Sequence, residues 1–121
     1  DHPLYENKDI KFNSPAFNFD EVVKLPENAV CLASNKVNKV QSLYFEISKA
    51  KIWGLQYHPE ITYEKMISLI EFRKERLIEY RKVFKNENEI KNHISFIKKE
   101  ILLTKDEKRT LELKNWLSSL N

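Results

Sequence analysis

Hydrophobic positions change their spacing part-way along the chain. Before residue 60 they fall in short apolar or alternating runs, the pattern of strands; after it they recur every three to four residues, as on one helix face. "AVCLAS" (Ala29–Ser34) is a continuous apolar run, which predicts a strand covered on both faces. "VQSLYFEI" (Val40–Ile47) puts Leu43, Phe45 and Ile47 on one face, with Gln41 near its start. "KIWGLQYH" (Lys51–His58) is the third strand. The links "NKVN" and "SKAK" are short and polar, which predicts antiparallel neighbours, because a parallel crossover needs about a dozen residues. The first third reads as loop and short extended pieces, punctuated by Pro3, Pro15 and Pro26.

Beyond Glu60 three helices are expected. Thr62 can cap the first, and Glu64 suits its positive end. Met66, Ile70, Leu77, Tyr80 and Phe84 mark its buried face, interrupted by Arg73. The second starts at Asn86, with Glu89 as a capping-box partner and a stripe of Ile90, Ile94, Ile97 and Ile101. The third starts at "TKDE", where Thr104 and Glu107 would form another capping box, and buries Leu113, Trp116, Leu117 and Leu120. A stripe at this spacing is a packing face before it is a binding surface.

Composition narrows the function classes. The chain has 121 residues, 41% of them hydrophobic, enough for a core. No apolar run approaches the ~20 residues needed to cross a bilayer, and the first residues do not resemble a signal peptide. A single cysteine, Cys31, excludes an internal disulfide and fits a reducing compartment, so the cytoplasm is the expected location. The start at Asp1 points to a trimmed chain or a fragment. Net charge is −1 over residues 1–70 and +4 over 71–121, where 13 basic residues are interleaved with nine acids. Such interleaving marks a solvated surface, so neither nucleic acid nor membrane is expected as a partner. One glycine, Gly54, leaves no Gly-rich phosphate cradle, no dinucleotide fingerprint and no Gly-flanked nucleophile turn. His2, His58 and His93 have no ligand spacing among themselves, so no metal and no cofactor are expected.

The chemistry is concentrated in "HPE", His58 to Glu60. Side chains two apart on an extended segment point the same way, with Cα atoms about 6–7 Å apart. Pro59 restricts His58 to extended backbone and offers no donor to a ladder, so the strand ends there. A carboxylate that reaches back to one imidazole nitrogen selects the tautomer and steadies the imidazolium. That is the base and its orienter, two parts of a nucleophilic triad.

"GLQYHPE" resembles the C-terminal signature of class I glutamine amidotransferases. "HPLY" (His2–Tyr5), "FDEVVKLPENAVCLASN" (Phe19–Asn35) and "VQSLYF" (Val40–Phe45) precede it in the family's order, and the resemblance is nearest to the GMP synthase-like members, over roughly residues 1–84. It implies a Cys-His-Glu triad that releases ammonia from glutamine through a thioester, with His58 as general base and Glu60 as its orienter. It also implies an α/β fold, a partial flavodoxin-like domain of short strands followed by a helical C-terminal extension, residues 85–121. Phe19 and Asp20 match positions whose backbone holds glutamine in the family; Asn18 stands where the family carries His.

The family's nucleophile lies on a Gly-flanked elbow that this chain lacks. Cys31 falls inside "AVCLAS", where the family has a core strand residue, and a strand-interior thiol is inert. The expected function is therefore the C-terminal part of a glutamine amidotransferase, inactive alone and completed by an N-terminal half. A synthetase that uses the ammonia is the further partner implied. The alternative is a degenerate, non-catalytic binding or regulatory module of the same family. Without its other half, the sheet should expose an unpaired edge and an uncovered apolar face.

Overall fold

The computed structural model describes residues 2–17 and 20–120. The chain is α/β, a three-stranded antiparallel sheet followed by helices. Residues 1–3 and 16–58 form one compact unit, residues 4–15 and 59–121 a second.

The sheet of the first unit has the order β1 (Val30–Ala33), β2 (Ser42–Ile47), β3 (Ala50–Leu55). β2 and β3 form a regular hairpin from Ser42↔Leu55 to Ile47↔Ala50. Its two-residue turn places Ser48 at φ 55°, a left-handed conformation usually taken by glycine. Between β1 and β2, the Asn35 side chain accepts hydrogen bonds from the backbone N–H groups of Val37 and Asn38 and closes the turn. Ser42 is buried, and its hydroxyl accepts from the Trp53 indole at 3.0 Å. The antiparallel meander is as the short links predict.

β1 departs from expectation. It is an edge strand, with Val30 53% exposed and Cys31 exposed, and its register slips between Cys31 and Ala33. An apolar run of four to six residues reads the same whether its second face is covered or bare; here it is bare. Ile47, at the end of the expected apolar face, is 57% exposed. β3 also ends earlier than Lys51–His58 predicts. The ladder's last named residue is Leu55, after which Gln56 donates to the Gln41 carbonyl and Tyr57 makes an isolated bridge to Ala16.

In the second unit, α1 (Tyr63–Phe72) packs on α2 (Glu87–Leu103), burying Tyr63 and Ile70 on one and Ile90, Ile94 and Ile97 on the other. The isoleucine stripe is as predicted. Thr62 accepts from Lys65 N at 3.0 Å and Asn86 from Glu89 N at 3.0 Å, so both caps form as their residue types require. The first helix does not continue to Phe84. A π-helical turn, Arg76–Tyr80, follows α1, and Lys82 at φ 53° ends the run. Widening the turn rotates later residues off the buried face, which leaves Tyr80 exposed.

The C-terminal region differs most. The capping box at Thr104 does not form: Thr104 closes α2, donating its hydroxyl to Glu100, and Lys105 precedes the short α3 (Asp106–Arg109) without a side-chain cap. In α4 (Leu111–Ser119) the buried residue is Glu112, while Leu113 and Trp116 are half-buried and Leu117 and Leu120 exposed. Polar contacts explain the inversion. Glu112 accepts from Lys8 Nζ at 2.8 Å, and the same ammonium donates to the Lys108 and Arg109 carbonyls at the end of α3. Asn115 donates to the Leu4 and Glu6 carbonyls, and Asn13 to Glu100. The segment from Leu4 to Pro15 is thus fastened to the helices through buried charge and backbone carbonyls.

Candidate active site at the His-Pro-Glu segment

The approach to His58 is built by strand pairing. Gln56 extends the ladder by one hydrogen bond to Gln41, and buried Tyr57 pairs antiparallel with Ala16. This bridge sets the chain two residues before Asn18 beside the residue before His58. Asn18 and Phe19 themselves lie outside the described residues. Asp20 is exposed on an irregular stretch. His58 is half-buried just beyond the bridge.

Pro59 and Glu60 form a turn, with Pro59 fully buried and Glu60 exposed. Two features define the turn. Thr62 caps α1, which begins only three residues past Glu60. Opposite it, the Pro59 carbonyl accepts a buried hydrogen bond from Arg109 Nε at 3.1 Å. Arg109 is 6% exposed, and its guanidinium also pairs with the exposed carboxylate of Asp106. The sequence does not single out Arg109, since an arginine in the charged run after Thr104 has the pattern of a surface residue.

Tyr63 lies at the start of α1 in the same surroundings. Burial first, then the negative charge of Glu100, pushes its hydroxyl up to about 12, against the opposing charge of Arg109. The Thr104 hydroxyl lies nearby and also opposes the shift, but without good hydrogen-bond geometry: the buried Tyr63 hydroxyl has no partner among the described residues.

Cys31 is exposed, not interior, and its thiol lies against the Ala33 and Lys39 carbonyls. It is nevertheless badly placed to be activated by His58. Cys31 pairs with Leu43 and Leu43 with Gly54, so two strand spacings separate Cys31 from β3, and His58 lies four residues beyond Gly54. That is roughly 10 Å across and roughly 13 Å along the sheet, whereas a base must stand about 3 Å from its nucleophile. Among the described residues no three His, Cys, Asp or Glu side chains cluster to hold a metal. No helix of the described residues is long and apolar enough to cross a membrane.

No protein-family model matches the chain, and no solved structure matches it. A curated protein, the gamma-glutamyl-L-1-hydroxyisopropylamide hydrolase of a Pseudomonas species, is 36% identical over 61 residues, which is 50% of this chain and 20% of that protein. The chain therefore spans about a fifth of the length of the curated relative it matches.

Proposed function

We propose that this chain carries the base-and-orienter part of a class I glutamine amidotransferase-type site, in which His58 is the general base and Glu60 orients it. The reaction is acyl transfer at a γ-glutamyl amide. A cysteine thiol on a segment outside this chain attacks the γ-carbonyl after yielding its proton to His58. The imidazolium returns that proton to the leaving nitrogen as the C–N bond breaks, and water then cleaves the thioester to give glutamate. Ammonia is the leaving group when the substrate is glutamine, and GMP synthase-like chemistry is the nearest analogy for its use.

The likeness to a hydrolase whose name specifies a γ-glutamyl amide is the observation that carries this reading. Glutamine is the simplest γ-glutamyl amide, so the bond to be broken is the same in both. The remoteness of Cys31 along the sheet supports an external nucleophile. Bare Val30 and Ile47 support a sheet that a further segment covers. A substrate-holding role for Asn18, Phe19 and Asp20 belongs to the same reading and rests on their match to the family's glutamine-holding positions. On this reading residues 1–84 are the C-terminal part of the amidotransferase domain, 85–121 its helical extension, and the domain as a whole is flavodoxin-like.

The test joins this chain to the upstream coding segment and follows glutamate release from glutamine and from N-substituted γ-glutamyl amides. His58→Ala should reduce kcat at least ~100-fold, the usual contribution of a general base. Full activity in His58→Ala, or no release of glutamate by the joined protein, would favour the non-catalytic module.

A further inference from the structure

We infer that Arg109 is a positioning residue for Glu60, acting through the Pro59 carbonyl; this rests on the role proposed for Glu60 above. Two soft torsions remain between the Pro59 ring and the Glu60 Cα, because the ring fixes the proline φ. These are the Pro59 ψ and the Glu60 φ. A donor held on the Pro59 carbonyl fixes the orientation of the Pro59–Glu60 peptide, and hence the Pro59 ψ. Arg109 Nε supplies that donor at 3.1 Å in a buried setting, where water does not compete for the carbonyl. Glu60 itself is exposed and in a turn, directly after the buried Pro59.

Arg109 is well suited to this task. It is 6% exposed, although the carboxylate it pairs with, Asp106, is 83% exposed at the side chain and so contributes little to holding it. Its backbone is fixed on both sides: Arg109 N donates to the Lys105 carbonyl, and the Arg109 carbonyl accepts from buried Lys8. The clamp therefore reaches from the Leu4–Pro15 segment through α3 to the turn. The helical extension acquires a role in the chemistry: it sets the direction from which the carboxylate departs.

The test uses side chains that match arginine up to its Nε. In Arg109→Gln the amide nitrogen Nε2 stands where Nε stood, so the bond to Pro59 is kept while the charge is lost. Arg109→Met keeps the shape and loses the donor. In the protein joined to its upstream segment, Arg109→Met should lower kcat at least tenfold with KM little changed, and Arg109→Gln should restore most of it. In the chain alone, the Glu60 amide order parameter should fall toward the flexible range, below about 0.6, in Arg109→Met, while the α2 amides stay near about 0.85. Equal kcat in wild type and Arg109→Met, or equal loss in Met and Gln variants, overturns the inference. If Arg109→Met does not fold, the Gln variant alone decides: a loss of kcat as large as that of Glu60→Gln overturns the inference. His58→Ala and Glu60→Gln are run in parallel. Unchanged activity in both sinks the catalytic reading, whereas loss in both with full activity in Arg109→Met sinks only the clamp.

Discussion

Replacing Glu112 by alanine should be among the most damaging single changes in the chain. Glu112 is fully buried, and its carboxylate faces Lys8 Nζ at 2.8 Å, with the Lys8 side chain 4% exposed. The ammonium also donates to the Lys108 and Arg109 carbonyls and lies 4.4 Å from the Phe12 ring centroid. Removing the carboxylate leaves a buried cation with neutral partners, and breaking one side of such a pair costs about 3–5 kcal/mol. That is a large part of the ~5–15 kcal/mol of a typical small domain. Lys8→Met should also destabilise the fold, since it removes the cation facing the buried Glu112 carboxylate. The double variant Lys8→Met, Glu112→Leu should recover most of the loss, because a packed apolar pair of similar volume is often neutral or better by about 1–4 kcal/mol. Urea unfolding followed by Trp116 fluorescence, with Trp53 replaced by phenylalanine, measures Glu112→Ala and the four corners of the cycle: the parent, Lys8→Met, Glu112→Leu and the double variant. A cost below ~1 kcal/mol for Glu112→Ala, the value of an exposed pair, would show that the two charges are not coupled as a buried pair. So would single effects that simply add in the double variant.

Further outcomes are expected elsewhere. His93 packs between Phe84 and Phe96, and burial lowers its pKa from 6.5; since its folded value is depressed, stability should fall as pH drops below about 6.5, and His93→Phe should flatten that slope in urea titrations at pH 5 and 7.5. Tyr63, with its hydroxyl pushed up to about 12, stays neutral in the folded state while an unfolded tyrosine ionises near 10, so stability should be lost between these values as pH rises; Tyr63→Phe should remove that loss, and should cost little at pH 7 because the hydroxyl is unpartnered. Thr62→Ala should cost about 1 kcal/mol by removing the α1 cap, read as a shift in the urea midpoint. Gly54→Ala should raise stability by roughly 0.5–1 kcal/mol, because the added Cβ meets Leu43 at 3.5 Å, an ordinary contact; a drop of more than that would mean the strand face is tighter than it looks.

The sequence carried the meander and the isoleucine helix, because both rest on local period and on residues whose preference is strong. Leu43 to Ile47 alternates, the links are too short for crossovers, and Asn86 with Glu89 has few other uses than a cap. What stayed hidden depends on contacts remote in sequence. Nothing near Lys8 reveals that its partner is Glu112, and a carboxylate in an otherwise polar helix pattern reads as surface. Hydrophobic Leu117 and Leu120 were given the core by the same logic, and lost it to Asn115 and Glu112, which hold backbone carbonyls and an ammonium of the N-terminal segment. The break after Phe72 has no proline or glycine to announce it. At the site, His58 and Glu60 stood out through Pro59, which limits backbone freedom in a way that sequence alone reveals. Arg109 did not, since its target is a carbonyl, which every residue possesses.

The most direct measurement is glutamate release by the chain joined to its upstream segment, compared with the same protein carrying His58→Ala and with the 121-residue chain alone. The joined protein should hydrolyse a γ-glutamyl amide, the variant should lose at least ~100-fold, and the chain alone should show no turnover. Turnover by the isolated chain, or by the His58→Ala protein at the full rate, would contradict the proposed function.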